Sequence, residues 1–81
     1  MSASSIIKKI MIDKKIPVRE LANKMGINPR ILSNKLYRNT FTLNEYILIA
    51  NLLECDVKTI SRSDNKEYIN EYEPKDTLKE E

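Results

Sequence analysis

An all-α fold of five short helices is the architecture that this 81-residue sequence predicts, on three observations. Glycine appears once and proline three times, whereas Ile, Leu, Lys, Glu and Asn are abundant, a balance that favours helix. Apolar residues recur at spacings of three and four along most of the chain. The junctions between these stretches carry helix-capping chemistry. At this length the chain is one small domain with a modest core.

The elements run in order along the chain. Ile6, Ile7, Ile10 and Met11 form one face of a first helix, with Lys8, Lys9, Asp13 and Lys14 mostly opposite and Ser4 or Ser5 as its expected cap. Pro17 ends this helix or opens the next, because the residue before a proline is driven out of the α region. A second helix fits Val18 to Met25, with Leu21, Ala22 and Met25 inward. Gly26 then supplies the left-handed residue that commonly terminates a helix. Asn28-Pro29 reads as a cap followed by proline in the first turn, opening a third helix with Ile31, Leu32 and Leu36 on its apolar side. Thr42-Leu43-Asn44-Glu45 fits a capping box, with Phe41 and Tyr46 at the hydrophobic-staple positions. It starts a fourth helix through Ile47, Leu48, Ile49, Ala50, Leu52 and Leu53, apolar over most of its circumference. Asp56 caps an expected short fifth helix from Val57 to about Ser61.

The division expected is a helical domain over residues 1–62 and a polar, acidic tail over 63–81. The tail is either flexible or, through Tyr68, Ile69 and Tyr72, an arm that packs on the body or on a second copy. Residues 1–61 hold ten Lys/Arg against five Asp/Glu, a net +5, and residues 62–81 hold four against seven, a net −3. A basic body with an acidic tail points to an anionic partner for the body. The chain has no histidine and a single cysteine, which removes nearly all zinc-type sites and nucleophile–histidine pairs and rules out an internal disulfide. No cofactor or metal is implied, and an enzyme is not expected. Cys55, between Leu53 and Val57, reads as a buried structural thiol. Without a signal-peptide pattern or a membrane-length apolar stretch, the expected location is cytoplasmic, with no membrane partner.

Two helices joined through the corner at Gly26 have the layout of a helix-turn-helix. Ala22, four residues before the glycine, allows the close crossing; Ile27 plugs the turn, and Leu32 anchors the third helix. The stretch from Ile6 to Ser61 resembles the repressor/Cro-like helix-turn-helix family of the lambda repressor type. "KKIPVRELANKMGINPRILSNKLYRN" is similar to its second and third helices, and "FTLNEYILIANLLECDVKTI" to its fourth and fifth. The resemblance implies a five-helix fold and sequence-specific DNA binding, most often by a dimeric transcriptional regulator. It also implies dimerisation through the fifth helix and the segment after it, here Val57, Thr59, Ile60 and "EYINEY". Val18 stands where many members carry a glutamine that touches the DNA backbone, and Pro17 where serine or threonine usually caps. Lys35-Leu36 shifts the family's apolar position by one place.

With the third helix in a major groove, the candidate base-reading residues are Asn28, Pro29, Arg30, Ser33 and Asn34. Arg30 suits guanine O6 and N7, Asn34 suits adenine N6 and N7, Ser33 suits a base or a phosphate, and Pro29 offers apolar contact. Asn28 serves equally as a cap, and Arg30 equally as a phosphate ligand. Candidate backbone contacts are Arg19, Lys35, Tyr37, Arg38, Asn39 and Thr40, with Tyr37 open between core and backbone. The expected partner is double-stranded DNA bound by a homodimer, as a small repressor of phage or mobile-element type. Two rivals remain. One is an antitoxin-like or architectural DNA-binding adaptor whose tail engages a second protein, and the other a protein-interaction module on the same fold.

Overall fold

The computed structural model describes residues 1–74, so the part of the expected acidic tail from 75 to 81 lies outside the described residues. Four helices come first: α1 (Ala3–Lys14), α2 (Val18–Met25), α3 (Pro29–Arg38) and α4 (Leu43–Leu52). A two-stranded antiparallel sheet of β1 (Lys58–Ile60) and β2 (Glu67–Ile69) comes after them. No described helix is long and apolar enough to cross a membrane.

Each helix begins and ends on local chemistry. Ser2, rather than Ser4 or Ser5, caps α1: its Oγ accepts the Ser5 N–H at 3.1 Å and Ser5 Oγ accepts the Ser2 N–H at 3.0 Å. Ser4, the expected alternative, is inside the first turn and buried. Pro17 takes the N-cap position of α2 with no side-chain hydrogen bond. Asn28 Oδ1 accepts the Arg30 N–H at 2.7 Å and starts α3. Thr42 and Glu45 form the reciprocal box that starts α4: Thr42 Oγ1 accepts the Glu45 N–H at 3.0 Å and Glu45 Oε1 accepts the Thr42 N–H at 2.9 Å. After all four helices the chain passes through a left-handed residue, at Lys15 (φ 58°), Gly26 (φ 75°), Asn39 (φ 57°) and Glu54 (φ 62°). Only one of these is glycine.

Ile7, Met11, Leu21, Ala22, Leu32, Leu36, Ile49 and Leu53 form the buried core, and Phe41 and Tyr46 from the staple positions pack partly buried against it. Both α3 and α4 pack on α1 and α2, so the N-terminal pair is the platform for the other two helices. Asn39 adds a polar tie across the bundle, its Oδ1 accepting the Ser4 N–H at 3.0 Å in the first turn of α1. Cys55 is half-buried against the core, with its thiol donating to the Leu53 carbonyl at 3.6 Å.

The expected fifth helix is not formed. Residues 58–60 are β1, paired with β2 in the register Lys58↔Ile69, Thr59↔Tyr68 and Ile60↔Glu67. Val57, Thr59 and Ile60 are β-branched, and so short a segment nucleates a helix poorly without strong packing, so a nearby strand partner prevails. Asp56 accordingly caps nothing. Lys58 and Glu67 form an ion pair at 3.0 Å, and the Asn70 N–H donates to the Val57 carbonyl at 2.8 Å. The hairpin turn is closed by Ser61 N–H to Lys66 O at 2.9 Å, by the left-handed Asn65, and by Asp64 Oδ1 accepting the Lys66 N–H at 3.1 Å. Residues 63–74, open in the sequence between a flexible tail and a packed arm, thus supply the turn, the second strand and a return segment on the body.

Candidate nucleic-acid interface

The corner between α2 and α3 determines which side of α3 meets solvent. Gly26 ends α2 with its N–H on the Asn23 carbonyl at 3.2 Å, while the Ile27 N–H reaches back to the Ala22 carbonyl at 3.0 Å. This paired closure needs the left-handed residue at Gly26. Ala22 and Leu21 are fully buried beneath the corner, and Ile27 packs partly buried against the core. Leu32 at 0% exposure and Leu36 at 5% then hold α3 down by one face.

The opposite face of α3 meets solvent. Pro29, Arg30, Ser33, Asn34, Tyr37 and Arg38 are all exposed. Arg30, Ser33, Asn34 and Tyr37 are three or four residues apart and therefore make one continuous stripe along the helix. Tyr37 is 88% exposed, which removes the core alternative for this residue. Arg30 and Asn34 are one turn apart near the N-terminal half of the helix, a separation that suits two neighbouring base pairs in a groove about 12 Å wide. Asn28 performs the cap, so its Oδ1 is committed and its NH2 remains available.

Arg19 lies on the first turn of α2, exposed, in a cleft of about 550 Å³ with Pro17, Glu20, Asn23, Ile27 and Pro29. The cleft separates the N-terminal ends of α2 and α3. Glu20 and Asn23 were not among the residues singled out from sequence, although their position six and three residues before Gly26 places them beside the corner. Glu20 brings a negative charge next to Arg19.

Lys35 does not share the stripe. Its ammonium turns to Glu45 Oε2 of α4 at 3.2 Å and donates to the Thr40 carbonyl at 3.4 Å, beside the Phe41 ring. Asn39 presents only its NH2 outward, because its Oδ1 holds α1. Thr40 is exposed in the loop. A further contact escaped sequence reading altogether. Asn44 of α4 clasps the backbone of Glu73, donating Nδ2–H to its carbonyl at 2.7 Å and accepting its N–H on Oδ1 at 2.9 Å. The clasp returns the chain to the start of α4 and brings Tyr72 to a groove lined by Ile31, Lys35, Glu45 and Leu48.

A tight corner closed by a left-handed glycine, an anchored second helix and an exposed polar and basic stripe form a helix-turn-helix. Residues 7–62 match the Cro/C1-type HTH DNA-binding domain, from within α1 through β1. No curated protein and no solved structure gives a significant match to the chain. A match over more than half of the sequence settles the family: the chain belongs to the Cro/C1-type helix-turn-helix DNA-binding domains.

Proposed function

We propose that the protein is a small sequence-specific regulator of transcription that binds double-stranded DNA as a homodimer and represses from its operator, in the manner of phage or mobile-element repressors. The observation that carries this reading is the exposed stripe of Arg30, Ser33, Asn34 and Tyr37 on a helix whose other face is anchored by Leu32 and Leu36. In this reading α3 enters the major groove, Arg30 and Asn34 make bidentate base contacts, and each pair discriminates by about 1–3 kcal/mol. Ser33 and Pro29 complete the base-facing surface, with the Asn28 amide at its edge. Arg19, Tyr37, Arg38, the Asn39 amide and Thr40 engage phosphates on either side and set the register. The net +5 of residues 1–61 draws the domain to DNA, whose phosphates repel the net −3 of residues 62–81.

One module reads few base pairs, so useful specificity requires two copies on half-sites about 34–36 Å apart. The hairpin is the surface proposed for pairing, with Ile60, Tyr68 and Ile69 half-exposed along it. Polar residues on the α3 stripe weigh against the protein-interaction alternative, since a helix-docking groove is apolar.

The test is fluorescence anisotropy of a labelled duplex pool titrated with protein between about 50 and 200 mM salt, beside sedimentation of the complex. The expected result is binding whose logarithm falls linearly with log[salt], by about 0.9 for each phosphate neutralised, and two protein chains per specific duplex. No binding at the lowest salt overturns the DNA reading, and one chain per specific duplex overturns the dimer.

A further inference from the structure

Lys35 has the charge of a phosphate ligand and a position beside the candidate interface, yet its ammonium points away from it. We infer that Lys35 is a positioning residue: bridged to Glu45, it holds the angle at which the recognition helix is presented, and it does not contact DNA. The inference rests on the DNA-binding reading and assigns this residue a part in the specificity of that site.

Three observations carry it. The first is the ammonium's surroundings: Glu45 Oε2 at 3.2 Å, the Thr40 carbonyl at 3.4 Å and the Phe41 ring centroid at 5.9 Å. They come from the loop and from α4, so one side chain of α3 gathers the next two elements. The second is the condition of its partner. The other oxygen of the same carboxylate, Oε1, accepts the Thr42 N–H in the α4 capping box at 2.9 Å. Glu45 is therefore already immobilised, and Lys35 docks onto a fixed acceptor instead of ordering a free one. The third is the packing plan. α3 rests on α1 and α2, and α4 rests on the same two helices. The Lys35–Glu45 pair joins α3 to α4 directly, at the C-terminal half of α3, beyond the Leu32 anchor.

Both side chains are about 30% exposed. A pair this accessible contributes little to stability, which separates its purpose from holding the fold together. What it restricts is the swing of α3 about its buried Leu32 and Leu36. Base contacts depend on that swing far more than phosphate contacts do, because side-chain placement within about half an ångström decides whether a bidentate bond forms.

The experiment compares wild type, Lys35→Met, Glu45→Gln and the double variant, each shown by circular dichroism to be folded at the assay temperature. Lys35→Met keeps most of the stem and removes the charge. Glu45→Gln keeps a carbonyl oxygen for the Thr42 cap and removes the charge that holds Lys35. Each protein is titrated against its selected duplex and against a scrambled one over a salt series. The positioning role predicts that both single variants lose about two- to fivefold in affinity for the selected duplex, within what an exposed ion pair can supply. Affinity for scrambled DNA and the salt slope stay at wild-type values, and the double variant is no worse than either single.

A phosphate contact predicts a different pattern. Lys35→Met then weakens both duplexes alike and lowers the salt slope by about 0.9. Glu45→Gln then tightens binding by releasing a cation and removing an anion. Either of these results overturns the inference. In the free proteins, amide spectra give a reading that does not depend on DNA: both single variants shift the same amides from Lys35 to Glu45 if the bridge forms. Shifts confined to each substituted residue overturn the inference as well. If wild type binds no duplex at all, the proposed function fails and the positioning role with it, while common amide shifts still record the bridge itself.

Discussion

Gly26→Ala is the perturbation whose size the structure specifies most fully. A Cβ built on Gly26 meets no atom within 4 Å, so the substitution introduces no collision, and the whole cost is the left-handed backbone at φ 75°. An L-residue in that conformation costs roughly 1–2 kcal/mol. Alanine also lowers the entropy of the unfolded chain relative to glycine, an offset of about 0.4–1 kcal/mol. The difference is a destabilisation of about 1 kcal/mol, which lowers the melting temperature of a domain this size by about 4–8 °C. Gly26→Asn costs less, because asparagine tolerates the left-handed region. The chain contains its own controls: Lys15 and Glu54 occupy the same conformation after α1 and α4 with ordinary side chains. Lys15→Gly and Glu54→Gly are therefore expected to stabilise, each by up to about 1 kcal/mol. Urea denaturation of wild type and these four variants tests the set. A loss above about 3 kcal/mol for Gly26→Ala means that the corner is tighter than its open surroundings imply, and no loss means that the residue is not left-handed in solution; either refutes the reasoning. Because the corner's geometry survives the substitution, the folded fraction of Gly26→Ala binds DNA as wild type does.

Four other perturbations have defined outcomes. Asn28→Ala removes the α3 cap and costs about 1 kcal/mol in urea denaturation, whereas Asn28→Asp keeps the cap but weakens DNA binding through charge repulsion, which separates the two roles of this side chain. Leu32→Ala empties a fully buried site beneath the stripe and costs about 2–5 kcal/mol, seen as a large fall in the denaturation midpoint. Asn44→Ala cuts both hydrogen bonds to Glu73, so hydrogen exchange at the Glu73 amide accelerates while that of α1–α4 is unchanged. The Asp64 carboxyl is held below its ordinary value of 3.8 by the Lys66 N–H and then by the Ser61 side chain. Its contribution to the hairpin turn is fully present above that ordinary value and disappears as pH falls through the lower folded value, a loss that the Lys66 amide shift reports between neutral and strongly acid solution.

The helical part of the fold was legible wherever its cause lies within a few residues. Gly26, Asn28-Pro29 and the Thr42–Glu45 box act through short-range contacts, so their residue types announce them. The buried faces were legible for a similar reason, since Leu21, Ala22, Leu32 and Leu36 fall at helical spacing. The hairpin was not, because β1 exists through β2, and the segment from Val57 to Ser61 is too short for periodicity to distinguish strand from helix. The β-branched Val57, Thr59 and Ile60 were the available signal. Local sequence does not select Ser2 as the cap, because Ser2, Ser4 and Ser5 stand close together and any of the three hydroxyls can cap. At the candidate interface, exposure of Arg30, Ser33 and Asn34 follows from the helix period, whereas Tyr37, an aromatic that suits core or surface, needed the structure to place it. The inward turn of Lys35 does not follow from it, since it depends on where α4 lies relative to α3. The Asn44–Glu73 clasp spans 29 residues and left no local trace.

Selection of bound duplexes from a randomised library at about 150 mM salt, near physiological ionic strength, run in parallel with wild type and Arg30→Ala, tests the central claim most directly. Wild type is expected to enrich an inverted repeat, and Arg30→Ala to lose preference at one base position in each half-site with the rest of the motif retained. An unenriched pool from wild type, or an Arg30→Ala motif identical to that of wild type, contradicts the claim that the exposed stripe of α3 reads DNA sequence.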